Sequence, residues 1–138
     1  MANKVYPKYK AACENGGANT NLIAGNVKAL LVNTGVGGYA YSDSHEFVSD
    51  VAGAAIVART GSAGGKTVTA GAAFQSGTVV ASAVTGSEID AVILYIDTGA
   101  DSTSRLVAYY DTGVTGLPVT PAGASYNVIP DTTGWLTL

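Results

Sequence analysis

The chain has 138 residues, which suits one domain with one core. It is 47% hydrophobic and only 12% charged, against roughly 25% charged in ordinary globular chains, so its surface must be built from Thr, Ser, Asn, Gly and exposed Ala. The net charge of -3 and a pI near 4.8 argue against nucleic acid as a partner, because phosphate neutralisation needs clustered Lys and Arg.

Residues 1–22 stand apart from the rest. Lys4, Lys8 and Lys10 fall in the first ten positions, Pro7 interrupts, and Asn15, Gly16, Gly17 and Asn19 follow. No apolar stretch comes after the lysines, so the opening does not read as a secretion signal. Lys8 to Glu14 has the length of a short helix, which is marginal on its own in water. The segment reads either as an N-terminal arm or short helix that needs something to pack on, or as a frayed terminus. On the arm reading, removing residues 1–17 leaves the remainder folded.

From residue 23 onward the chain reads as a single β domain, 23–138. Val27 to Val32 is an apolar strand, and Gly35 to Ser44 is a glycine-rich loop. Ser44 is placed to cap a short turn of helix over His45 to Val51, with Phe47, Val48 and Val51 on one side. Strands are predicted at Ala54 to Arg59, Lys66 to Thr69, Thr78 to Ala83, Ile89 to Ile96, Arg105 to Tyr110, Ala124 to Ile129 and Trp135 to Leu138. Ile89 to Ile96 is the most apolar of them and predicts a central strand buried on both faces. The eighteen glycines are scattered without a collagen period and serve as turns between short strands. The pattern predicts an all-β fold, a β-sandwich or jelly-roll-like domain with a short helical segment and an N-terminal arm. No apolar run reaches the ~18 residues of a membrane helix, so no membrane partner is expected.

A strand ending recurs. Asp97-Thr98-Gly99 is echoed by Asp111-Thr112-Gly113, and Asn33-Thr34-Gly35 repeats it with Asn. An Asp or Asn side chain bonds its own backbone there and Gly supplies positive φ, so each reads as a stop signal. The stretch Val92 to Ser102, with Ile96-Asp97-Thr98-Gly99-Ala100-Asp101, also looks like the catalytic loop of retroviral-type aspartic proteases, in which two Asp side chains share a proton across a symmetric dimer. The match is incomplete. Only 39 residues follow Gly99, no later Ile-Gly-Arg turn occurs, and the second Asp-Thr-Gly comes only 14 residues after the first. The turn reading is preferred, and the protease using Asp97 is kept as the alternative from another class.

Other chemistry is thinner. His45 stands with Asp43, Glu46 and Asp50, as a loose metal site or a solvated loop. Asp97, Asp101 and Asp111 are positioned to meet at one end of a hairpin, where oxygens would hold a divalent cation. Cys13 has no partner pattern, and a single cysteine cannot close an internal disulfide. Gly35 to Gly38 and Gly61 to Gly65 lack phosphate-loop spacing. No cofactor is expected. Tyr39 and Tyr41 are either anchors at a protein interface or plain surface tyrosines. With Lys4, Tyr6, Pro7, Lys8 and Tyr9 they make up the candidate interface.

The chain as a whole resembles a family of small tailed-phage virion structural proteins. The residues that carry the likeness are Ala2 to Lys8, Lys28 to Val32, His45 to Asp50, Ile93 to Gly99 and Thr115 to Pro121, the most specific being the opening and Gly116 to Gly123. The chain departs from the family at Gly16 to Asn21, where members carry a longer charged segment. The resemblance implies a virion protein, a capsid decoration or cement protein assembled in the bacterial cytoplasm. Its partners would be the major capsid protein and its own copies, as a homotrimer matching the local three-fold axes of a shell. A tail, baseplate or fibre protein is the alternative in the same class.

Overall fold

The computed structural model describes residues 3–35, 37–70, 73–112, 114, 117–128 and 135–137. Its strands are β1 (Lys4–Val5), β2 (Asn26–Val32), β3 (Ile56–Arg59), β4 (Thr67–Val68), β5 (Ala73–Gln75), β6 (Val79–Ala81), β7 (Ala91–Asp97), β8 (Arg105–Tyr110), β9 (Tyr126–Val128) and β10 (Leu136–Thr137), with one α-helix, α1 (Pro7–Glu14). The fold is all-β, as the pattern predicts. The pairing is antiparallel throughout: a five-stranded sheet in the order β1-β8-β7-β2-β3, a three-stranded sheet β10-β5-β4, and a ribbon β6-β9. Among the described residues the strands thus form one five-stranded sheet and two smaller ones.

The large sheet is buried on both faces. Ala91 to Ile96 of β7 are all buried, and so are Ala29 to Val32 of β2. Successive strand residues point to opposite faces, so unbroken burial means that something covers each side. Tyr109 and Tyr110 on β8 show what does. Tyr109 meets a cluster of tyrosines, its ring 6.0 Å from that of Tyr39. Tyr110 meets Trp135 at 5.9 Å on the other side. Trp135 donates its backbone N–H to Phe74 O at 2.7 Å, tying the three-stranded sheet to that second face.

The strand endings behave as local chemistry requires. Asp97 Oδ1 accepts the Gly99 N–H and Asn33 Oδ1 accepts the Gly35 N–H, each at 3.0 Å. Gly99 sits at φ +90, a conformation that L side chains rarely adopt. Gly35 makes its turn without a positive φ, and there Asp90 adds support by accepting the Thr34 N–H and hydroxyl, each at 2.8 Å. Gly113 lies outside the described residues.

Two expectations are corrected. Residues 1–22 are not an arm beside a separate domain at 23–138. β1 pairs with β8 as the edge of the main sheet, Tyr6 N–H continues the ladder to Val107 O at 2.9 Å, and Tyr6 and Tyr9 are buried at 0% and 1% exposure. Pro7 marks the switch from strand to helix, because its fixed φ suits the first helical position and its missing N–H would have gone unpaired there. A two-residue strand is too short to show periodicity, so the sequence conceals it. Second, the turn expected over His45 to Val51 contracts to a single 3-10 turn, Val48–Asp50. Ser44 does not cap it. Asp50 does, accepting the N–H groups of Glu46 at 2.8 Å and Phe47 at 3.1 Å, which holds its carboxyl below the usual carboxylate range.

Candidate interaction surface

The candidate interface residues divide by depth. Tyr6, Tyr9 and Tyr39 are core residues of this chain, so the expectation that they are surface contacts is corrected. Lys4, Pro7 and Lys8 are exposed, and Tyr41 is half-buried. The strand β1 and helix α1 thus present their lysines outward while their tyrosines fasten them inward.

The fastening is an aromatic cluster with satisfied polar tips. Tyr6 lies 5.1 Å from Tyr41, and Tyr41 lies 5.4 Å from Tyr109. The Tyr6 and Tyr39 hydroxyls share a hydrogen bond at 2.7 Å, and the Tyr39 hydroxyl shares another with His45 Nδ1 at 2.8 Å. A buried hydroxyl without a partner is costly, so this chain of bonds is what permits two tyrosines rather than two phenylalanines. It also engages the ring nitrogen of His45 that faces inward. Burial pushes the Tyr39 phenol up to about 12 and the Tyr6 phenol further still.

Lys4 stands over the Tyr41 ring, 5.4 Å from its centre, a favourable cation–π placement. Lys10, counted among the opening lysines but left out of the candidate interface, is also exposed on α1. Among the described residues the ion pairs are Lys28–Asp97 at 2.6 Å, Arg59–Asp101 at 2.7 Å and Arg105–Glu46 at 3.1 Å. Lys66 donates to the Gly25 carbonyl. Among the described residues Lys4, Lys8 and Lys10 therefore have no carboxylate partner, and all three lie within seven residues. The remaining four cations face ten acidic residues, a balance of -6.

Arg105 was also missed, and it anchors the connection behind α1. It is only 6% exposed. Its Nε donates to Ala18 O at 3.0 Å, its Nη1 to Glu46, and its guanidinium lies 5.0 Å from the centre of the Phe47 ring. The signal was present as a lone cation opening the apolar run RLVAYY. Arg105→Ala removes the buried guanidinium with its bonds to Ala18 and Glu46 and its contact with Phe47, and is expected to cost about 2–4 kcal/mol, lowering the calorimetric melting temperature by roughly 6–16 °C. Arg105→Lys keeps the charge without the fork and is expected to recover only part of it. An unchanged melting temperature in Arg105→Ala would remove this anchor from the account.

The aspartates do not gather. Asp97 and Asp101 lie at the β7–β8 hairpin, whereas Asp111 follows the far end of β8, on the order of 20 Å along the strand. Asp97 is held below the usual carboxylate range by Lys28 first and then by the Gly99 N–H. Arg59 does the same to Asp101 with a two-pronged contact, Nη1 to Oδ1 and Nη2 to Oδ2. Both carboxylates are ionised and individually matched to cations, unlike a pair sharing one proton. No group of three His, Cys, Asp or Glu side chains among the described residues is arranged to hold a metal ion. Cys13 is half-buried on α1. No described helix is long and apolar enough to cross a membrane.

No protein-family model matches this chain, and no curated protein matches it.

Proposed function

We propose that this chain is a phage virion structural protein that binds the capsid shell and strengthens it, as a decoration protein working in homotrimers. The observation that carries the reading is the lysine-bearing β1–α1 unit. Three exposed cations, without carboxylate partners among the described residues, sit on the edge strand β1 and the helix α1 beside it, which Tyr6 and Tyr9 fasten to the core. A pre-ordered basic edge on a lightly charged chain suits contact with an acidic protein face, since little entropy is lost on docking. Among the described residues β3 and β4 are the outer strands of their sheets, and such edges offer backbone groups for strand pairing with a neighbour.

Cosedimentation with purified empty capsids and with isolated tails tests it. The native chain is expected to pellet with shells. Lys4→Glu, Lys8→Glu and Lys10→Glu together are expected to weaken that binding at least about ten-fold, ~1.4 kcal/mol, with one cooperative thermal transition retained and only the small loss of the Lys4–Tyr41 contact. Raising salt from about 50 to about 500 mM should weaken the native chain in the same direction. Binding to tails alone would move the reading to a tail, baseplate or fibre protein, and binding to neither would end it.

A further inference from the structure

At the opposite end of the main sheet from Asp111, the connection from α1 to β2 passes below the β7–β8 hairpin and leaves an open cleft of about 510 Å³ against Ile96, Asp97 and Thr98. That volume lies within the range of small-molecule sites, ~300–1,000 Å³. We propose that this cleft binds a neutral carbohydrate.

The first argument is charge. Asp97 is the one ionised side chain in the lining, and its carboxylate is already matched by Lys28. An ionic ligand would meet no free countercharge, so the cleft selects an uncharged polar molecule.

The second is the inventory of unused hydrogen-bonding groups. Asn21 Oδ1 accepts the N–H groups of Ile23 and Ala24, each at 3.0 Å. That fixes the amide's orientation and leaves both Nδ2 protons to donate. Asn19 spends its Nδ2 on Thr103 O at 3.1 Å, leaving Oδ1 to accept. Asn26 opens β2 with an exposed amide that makes no side-chain bond among the described residues. A lining that offers both donors and acceptors is what vicinal hydroxyls require, because each hydroxyl gives one hydrogen bond and accepts others.

The third is an apolar contact for the C–H face of a sugar ring. Ala24 lines the cleft, and Gly25 lies flat on Ile96, which also lines it. A Cβ at Gly25 would come within 2.7 Å of Ile96 Cγ2, so only glycine lets the loop settle there.

The fourth is rigidity. The loop is held from outside by Tyr9 Oη on Thr20 O at 2.8 Å, by Arg105 Nε on Ala18 O, and by Lys66 on Gly25 O. Within it, Gly25 N–H bonds Asn21 O at 2.9 Å. The loop and the amides of Asn19 and Asn21 are therefore ordered before any ligand arrives, which lowers the entropic cost of binding. This site is independent of the basic edge and of the particle-binding reading.

Amide shifts of the isotopically labelled full chain, titrated with maltose, cellobiose, lactose and N,N′-diacetylchitobiose to about 50 mM, test it. At least one disaccharide is expected to give saturable shifts confined to residues 17–26 and 96–98, with a Kd of about 1–10 mM. Asn26→Ala should weaken binding at least about five-fold, and Asn127→Ala, an exposed amide on β9, should leave it unchanged. If Asn26→Ala perturbs the fold, Asn26→Asp keeps the shape while removing the donors, and should weaken binding equally. No saturable shift with any of the four, shifts centred elsewhere, full binding by both Asn26 variants, or the same shifts produced by an uncharged tripeptide but by no sugar would each overturn the proposal.

Discussion

Deleting residues 1–17 is expected to abolish cooperative unfolding altogether, not merely to release a tail. The deletion removes Tyr6 and Tyr9, each essentially inaccessible to water. Truncating a buried aromatic costs roughly 3–5 kcal/mol, so the two together account for about 6–10 kcal/mol. A domain of this size has on the order of 7–20 kcal/mol of total stability. Further losses fall on what remains. Tyr39 loses the hydroxyl partner at 2.7 Å, and β8 loses its edge strand and becomes an open apolar edge. Denaturant unfolding followed by near-ultraviolet circular dichroism checks this. A truncated chain that still melts in one sharp transition would show that the helix and β1 are accessories. The milder double variant Tyr6→Phe with Tyr39→Phe removes only the shared hydroxyls and should retain the fold at reduced stability.

The second large effect lies at high pH. All eight tyrosines have phenols shifted upward, in each case with burial as the largest cause. An unfolded tyrosine ionises near 10. A phenol whose value is raised by folding stays neutral in the native state, so its contribution is complete below pH 10 and is lost as pH climbs toward the folded value. Tyr6, Tyr9, Tyr39, Tyr95 and Tyr109 are the five most buried. Tyr6, Tyr9, Tyr39 and Tyr109, the most strongly raised of these, each cost about 1.4 kcal/mol of stability by pH 11, or about 6 kcal/mol together, and Tyr95 adds in the same direction. Lys28, raised by its bond to Asp97, pushes in the same direction. The protein is therefore expected to unfold cooperatively near pH 11, with tyrosinate absorbance rising in one step that coincides with loss of structure. Absorbance rising gradually from pH 9 with the fold intact would contradict the burial of these rings. The acid side is gentler. Asp50, Asp97 and Asp101 are lowered on folding, so what they contribute is present above pH 4 and lost only as pH falls through their depressed values.

The local grammar of the chain was legible without a structure. The strands at Val27 to Val32, Ile89 to Ile96 and Arg105 to Tyr110 are continuous apolar runs, and such runs are stable only where both faces are covered. They became β2, β7 and β8 at the centre of the sheet. The Asp97 and Asn33 turns were legible for the same reason: each closes on its own backbone two residues away. Even so, β5 escaped notice, since Ala73–Gln75 is three residues among glycines with no period to read.

What the sequence left undetermined were relations between distant residues, and these define both candidate sites. Lys28 meets Asp97 across 69 positions, Arg105 meets Glu46 across 59, and Asn3 bonds the backbone beyond β8 across more than a hundred. Nothing local distinguishes Tyr6, which lies in the core, from Tyr41, which reaches the surface. Both stand among small and polar residues. The order β1-β8-β7-β2-β3 decides between them, because it places the opening segment against the far hairpin and turns one tyrosine inward. A strand or turn is set by interactions a few residues apart, which a linear sequence displays. A partner across the sheet is chosen by the burial of the whole assembly, which only the folded chain reveals.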